Sequence, residues 1–235
     1  MAYWVLKVLL TPLLRLVFTV RSEGTQHVPA SGPVILASNH RSFSDSVFLP
    51  LVVNRRVTFV AKAEYFESWK TAWFFRAVGM IPLKREGGSA SQRALAAAAE
   101  VLSSGGVLGI YPEGTRSPDG RLYRGHTGVA RLSIKCQAPV IPVAQLGTAA
   151  VQPIGAKWPK LFRSVKVTMG PPLRWDGGAS DGAFERASDQ REFTDEIMRS
   201  IQKLSGQDRV DAYAKRDQGR LSAPGSEAEP VPSGS

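Results

Sequence analysis

Two residue types able to move a proton stand five positions apart in the polar stretch Asn39-His40-Arg41-Ser42-Phe43-Ser44-Asp45. An unperturbed imidazole titrates near pH ~6.5, so His40 suits removal of a proton from a hydroxyl. A carboxylate beside it fixes the tautomer of the ring and stabilises the imidazolium that forms. Asp45 is the candidate for that part. The stretch follows the apolar run Val34-Ile35-Leu36-Ala37, so it reads as the turn into which a strand empties. Polar residues there also suit a plainer role, capping the helix that follows.

A second apolar run ends in Tyr111-Pro112-Glu113-Gly114-Thr115-Arg116-Ser117. Between the two stretches lies Gly79-Met80-Ile81-Pro82-Leu83-Lys84-Arg85, and beyond them Val140-Ile141-Pro142-Val143. Together, in this order and rough spacing, the four resemble the blocks of the glycerolipid acyltransferase family, typified by 1-acyl-sn-glycerol-3-phosphate acyltransferase. Asn39, His40, Ser42 and Asp45 fit the family's first block, and Tyr111 stands where its third block more often has Phe.

The chain has no Gly-x-Ser-x-Gly elbow, and its single cysteine, Cys136, reads as small core filler. Direct transfer therefore fits better than a covalent acyl-enzyme. The expected sequence has His40 taking the proton of an acceptor hydroxyl while Asp45 orients the ring. The alkoxide then attacks the thioester of acyl-CoA or an acyl-carrier protein. The resemblance implies the same two roles. It also implies a lysophospholipid acceptor, usually lysophosphatidic acid, whose phosphate needs a cationic clamp. Arginine's planar fork suits phosphate. Arg116 and Arg85 are the first candidates, with Lys84 and Arg124 behind them. The loop Glu113-Gly114-Thr115-Arg116 is expected to shape the acceptor site, Glu113 either positioning the glycerol or holding Arg116. Glycerol 3-phosphate or another lysolipid or glycolipid is the alternative acceptor, and a non-catalytic lipid-binding scaffold the alternative function. No cofactor is expected, and no Cys/His cluster has metal-ligand spacing.

The charge agrees with an anionic partner. The 235 residues carry a formal +10, and from Gly120 to Trp175 there are nine Lys or Arg and no Asp or Glu. Such a stretch attracts phosphorylated substrates or an anionic membrane surface. Nucleic acid is not expected, since no recognised binding motif accompanies the charge. Lys157-Trp158-Pro159-Lys160, with Phe162, Arg163 and Lys166, mixes aromatics and cations in a way that suits lipid headgroups or the phosphates of CoA.

The elements that must hold these residues alternate. Short apolar runs at Val34–Ala37, Val57–Ala61, Met80–Leu83, Val107–Tyr111, Val140–Ala144 and Val165–Met169 read as buried strands. Helical patterns fill 44–53, 66–77, 89–104, 126–136 and 186–204. The second of these is unusually aromatic, with Tyr65, Phe66, Trp69, Trp73, Phe74 and Phe75. The order predicts an α/β fold with a mostly parallel central sheet flanked by helices, and ligands at the carboxyl ends of its strands.

Residues 1–22 are predicted to form a membrane-interface helical segment. Lys7 and Arg15 share one face, Tyr3 and Trp4 serve as anchors, and the charges interrupt any spanning run. Residues 23–204 make the acyltransferase domain, and 205–235, rich in Gly, Pro, Ser and charge, a disordered tail. The whole reads as a peripheral or monotopic protein on the cytoplasmic face of the cell membrane.

Overall fold

The computed structural model describes residues 2–61, 72, 75, 79–82, 89–176 and 186–214. Their frame is a seven-stranded sheet made of β1 (Thr19–Glu23), β2 (Val34–Ser38), β3 (Val57–Ala61), β4 (Met80–Pro82), β5 (Val107–Ile110), β7 (Val140–Leu146) and β8 (Ser164–Met169). The strand order is β1-β8-β7-β2-β5-β3-β4. Every pairing is parallel except β7 with β8. Each strand read from the sequence is there. The edge strand β1 is additional, mostly exposed and polar.

β2 explains why a continuous apolar run marks a central strand. Side chains alternate across a strand. Val34 and Leu36 enter one core with Phe48 and Leu49, whereas Ile35 and Ala37 enter the other with Leu102, Leu132, Phe193 and Ile197. Both faces are covered, so the run is apolar up to Ser38, whose hydroxyl is hydrogen-bonded at the strand's end. On the first face lie α1 (Ala2–Val17) and α2 (Asp45–Val52). On the second lie α3 (Ala90–Ser103), α4 (Gly128–Cys136) and α6 (Ala187–Ser205). A short α5 (Thr148–Val151) follows β7. Burying a large apolar side chain such as Phe193 contributes roughly 1.5–3 kcal/mol. Ser89 caps α3 in a reciprocal capping box with Gln92. Of the predicted aromatic helix, Ala72 and Phe75 are helical and buried, and the rest lies outside the described residues.

Three expectations change. The N-terminal segment is helical only to Val17, since 19–23 join the sheet through pairing with β8. Tyr3 is no interface anchor: its ring is buried and its hydroxyl accepts the Val57 N–H at 3.3 Å. Lys7 turns to the body, where Nζ donates to the Val53 carbonyl, and burial lowers its pKa. Arg15 is exposed as expected, but the outer face of α1 is otherwise largely apolar, exposing Trp4, Val5, Val8, Leu9, Leu13 and Leu16. Among the described residues, no helix is long and apolar enough to cross a membrane.

At the other end, the predicted tail does not begin at 205. Gln207 is buried. β9 (Arg209–Val210) pairs with β6 (Leu122–Tyr123), and Arg209 ties to Asp195 of α6 at 2.5 Å. Polar composition misled here because these residues bind through hydrogen bonds and ion pairs rather than apolar area.

Candidate active site

Register decides the site's location. β2 and β5 pair Ala37 with Ile110, so the next residues of each strand, Ser38-Asn39-His40 and Tyr111-Pro112-Glu113, must leave the sheet side by side. On the other flank of β2, Ser38 pairs with Val143 of β7. The carboxyl ends of three parallel strands thus bring the first, third and fourth sequence blocks together. β4, which carries the second block, runs parallel to them and ends at Pro82. Lys84 and Arg85 lie outside the described residues.

The His-x4-Asp spacing is that of a turn curled around one oxygen. Asp45 Oδ2 accepts His40 Nδ1–H at 2.8 Å, the Arg41 N–H at 2.7 Å and the Ser42 N–H at 2.8 Å. An ionised carboxylate only accepts, so Nδ1 carries the proton and Nε2 is left basic. Asp45 is 0% exposed and opens α2, where its charge meets the positive end of the helix dipole. Its Oδ1 is buried and has no hydrogen-bond partner among the described residues. Asp45 both pairs with His40 and opens the helix, so the two readings of this stretch fall on one side chain.

His40 is gripped from three more sides. Its N–H donates to Glu113 Oε1 at 3.0 Å, and its carbonyl accepts the Ser117 N–H at 2.8 Å. Tyr111 stacks on the imidazole, with centroids 3.8 Å apart and planes 9° apart. Phe59 in turn stacks with Tyr111, and the Tyr111 hydroxyl bonds Ser46 Oγ at 2.8 Å. Burial pushes the Tyr111 phenol well up.

Glu113, 1% exposed, holds neither Arg116 nor open solvent. Its second oxygen accepts the Tyr123 N–H at 2.9 Å, so it clamps two backbone segments. Burial raises its pKa to about 7, against the pull of the Tyr123 and His40 N–H donors. The serine hydroxyls of the turn are committed elsewhere. Ser42 Oγ donates to the Gln152 carbonyl at 2.7 Å, Ser44 Oγ to that of Thr148 at 3.3 Å, and Ser46 meets Tyr111. No serine here is paired with His40 as a nucleophile. Cys136 sits on α4 with its thiol pKa raised by burial.

Arg116 is half-buried, one residue from the Ser117–His40 bond. Its guanidinium has no ion-pair or hydrogen-bond partner among the described residues, so it is free for an anion. Arg124 is engaged instead: its Nε lies 3.7 Å from Asp211 Oδ1 and its guanidinium over the Tyr213 ring. Gly114 has φ 71°, and a Cβ there would press on the His126 ring at 3.0 Å, so glycine is required twice over. Thr115 is half-buried beside it.

Behind the site, the sequence reading matched Asn39 to the first block without giving it a role, and it missed Gln207 altogether. Asn39 Oδ1 accepts the Gln145 N–H at 2.8 Å, and its amide donates to the Gln145 carbonyl and to Gln207 Oε1 at 2.7 Å. Gln207 in turn donates to the Gly120 carbonyl at 2.6 Å. The first block's Asn is thus a strand-end brace, and Gln207, far along the chain in no motif, completes it. A shallow apolar cleft, with about 50 Å³ of enclosed space, runs between α1 and α2, lined by Leu6, Leu10, Leu14, Val47, Pro50 and Leu51 and reaching Ser46.

An acyltransferase family model matches residues 19–145. The chain is 29% identical over 157 residues to a chloroplastic 1-acyl-sn-glycerol-3-phosphate acyltransferase of Arabidopsis thaliana, covering 66% of this chain and 44% of that one. It is 24% identical over 187 residues to the 1-acyl-sn-glycerol-3-phosphate acyltransferase of Bacillus subtilis, covering 78% and 88%. The chain spans less than half the length of the plant relative. The crystal structure of the 1-acyl-sn-glycerophosphate (LPA) acyltransferase PlsC from Thermotoga maritima superposes with a TM-score of 0.62 at 28% identity, covering 79% of this chain and 71% of that one. A histidine–carboxylate dyad at the ends of parallel strands, the first, third and fourth blocks brought together there and the family match all agree: the chain belongs to the acyltransferase family.

Proposed function

We propose that the protein transfers a fatty acyl group from an acyl thioester, acyl-CoA or acyl-carrier protein, to the free hydroxyl of lysophosphatidic acid, giving phosphatidic acid for phospholipid synthesis. The observation that carries this is the Asp45-locked imidazole with no enzyme nucleophile attached to it. His40 Nε2 takes the acceptor's hydroxyl proton as the oxygen attacks the thioester carbonyl. The tetrahedral intermediate collapses, the C–S bond breaks, and the leaving thiolate takes the proton back from the imidazolium. Asp45 keeps the ring in the productive tautomer throughout. Arg116, unpaired beside the dyad, receives the acceptor's phosphate, with Arg85 and Lys84 as further cations from the second block. Glu113, Gly114 and Thr115 shape the loop that presents Arg116. The cleft between α1 and α2 reaches Ser46, next to the dyad, and suits an acyl chain.

The exposed apolar face of α1 supports a helix lying in an anionic membrane interface, with the protein peripheral on the cytoplasmic face. The names of the relatives support the acceptor. A thiol-release assay with palmitoyl-CoA and lysophosphatidic acid, glycerol 3-phosphate or no acceptor tests the reading. Release that requires lysophosphatidic acid and falls by at least ~10³-fold in His40→Ala at unchanged melting temperature is expected. A fully active His40→Ala overturns the mechanism, and release only with glycerol 3-phosphate overturns the acceptor.

A further inference from the structure

The loop from Ile154 to Arg163 is a surface with no internal reason to be apolar. Trp158 is 83% exposed, Phe162 81% and Leu161 52%, and Ile154 is exposed as well. Water-facing aromatics of this size gathered in one short loop mark a contact surface. Phe162 also has φ 57°. Only one other described non-glycine residue has positive φ, Gln137, and it ends helix α4. Phe162 ends no helix, and a bulky residue in this conformation is strained. The fold therefore holds that ring outward at a cost.

Two backbone bonds fix where the loop sits. The Phe162 N–H donates to the Val17 carbonyl and the Thr19 N–H to the Arg163 carbonyl, each at 3.2 Å. The loop is thereby stitched to the end of α1, next to Leu16, itself 81% exposed. The outer face of α1 and the loop tip form adjoining apolar surfaces. Lys157, Lys160 and Arg163 rim the loop, exposed and with no ion-pair partner among the described residues. No acidic residue lies between Gly120 and Trp175. Apolar rings that sink into an interface beneath cations that stay at headgroup level match the chemistry of an anionic bilayer. An acidic protein would be met by the cations but would leave the exposed apolar side chains of loop and helix unused.

The loop's other foot reaches the chemistry. The Lys160 N–H donates to the Val151 carbonyl at 2.7 Å, and the adjacent Gln152 carbonyl accepts Ser42 Oγ of the His40–Asp45 turn, also at 2.7 Å. We propose that the 154–163 loop is a second membrane contact, inserting Trp158, Leu161 and Phe162 into an anionic bilayer beside α1 and so fixing the orientation in which the catalytic turn faces the lipid. This goes beyond the acyl-transfer reading and holds whatever acceptor the site takes.

Flotation of the full chain with vesicles of phosphatidylcholine, alone or with phosphatidylglycerol, tests it. The triple variant Trp158→Ser, Leu161→Ser, Phe162→Ser, with α1 intact, is expected to keep its melting temperature and to partition at least about tenfold more weakly to both vesicles. Lys157→Glu with Lys160→Glu is expected to weaken binding to the phosphatidylglycerol vesicles alone. The emission lost in Trp158→Phe, taken as a difference from wild type, is expected to be quenched by brominated lipid. A triple variant that floats like wild type, or a Trp158 difference emission that brominated lipid leaves unquenched, overturns the proposal. Charge reversal that abolishes binding of an acidic acyl-carrier protein while the triple variant still floats like wild type also overturns it, and assigns the loop to a protein partner.

Discussion

Glu113 shows how far residue type alone reaches. The dyad was legible because His40 and Asp45 are chemically distinctive and close in sequence. The use of Glu113 was not, because its partners are the backbone N–H groups of His40 and Tyr123, which every sequence possesses. Its burial has a measurable consequence. With a folded pKa near 7 against roughly 4.5 unfolded, the folded state binds a proton more tightly than the unfolded chain. The stability this contributes is full below about pH 4.5 and is lost as pH rises through about 7. The loss amounts to ~3 kcal/mol. Denaturant titrations across that window are expected to show stability falling with pH in wild type and a flatter profile in Glu113→Gln. An identical slope in the variant would assign the titration to another group. The same variant turns an amide nitrogen toward one of the two N–H donors, so looser placement of His40 should accompany it.

Between residue and molecule stands the stack Phe59–Tyr111–His40, built from β3, the end of β5 and the catalytic turn. Gly109 of β5 makes room for it, since a Cβ there would run into the Phe59 ring. Gly109→Ala is therefore expected to cost ~1–3 kcal/mol by overpacking and to lower kcat as well, because the displaced Phe59 ring is stacked with Tyr111, which stacks on His40. A melt together with steady-state kinetics separates this from simple destabilisation, in which kcat per folded molecule would not change. The strands themselves were readable because burial on both faces of the sheet enforces apolar runs. β1 was not, because an edge strand with mostly exposed side chains needs no such run. The apolar side chains of α1 were readable from its sequence, but the contacts of its polar side were not. Lys7 looked like a solvent-facing charge and is a tether to Val53.

Over the whole molecule, the fold class was legible from alternation alone, whereas closure of the site was not, because Asn39 and Gln207 are 168 residues apart. No local pattern encodes a pairing of that range. Ending the chain after Gly206 would leave the Asn39 amide short of an acceptor and the Gly120 carbonyl without its donor, at ~1–3 kcal/mol each, and would remove the β6–β9 pairing. A melting point lower by several degrees, with reduced turnover, is the expected result; an unchanged melt would show that the brace is dispensable. The Asn39–Gln207 contact also imposes a timetable. A ribosome makes Gln207 168 residues after Asn39, an interval of about 8–34 seconds at ~5–20 residues per second. Over that interval the apolar helix α1 and the His40–Asp45 turn exist without the brace, and the turn is locked only once the segment around Gln207 has been made.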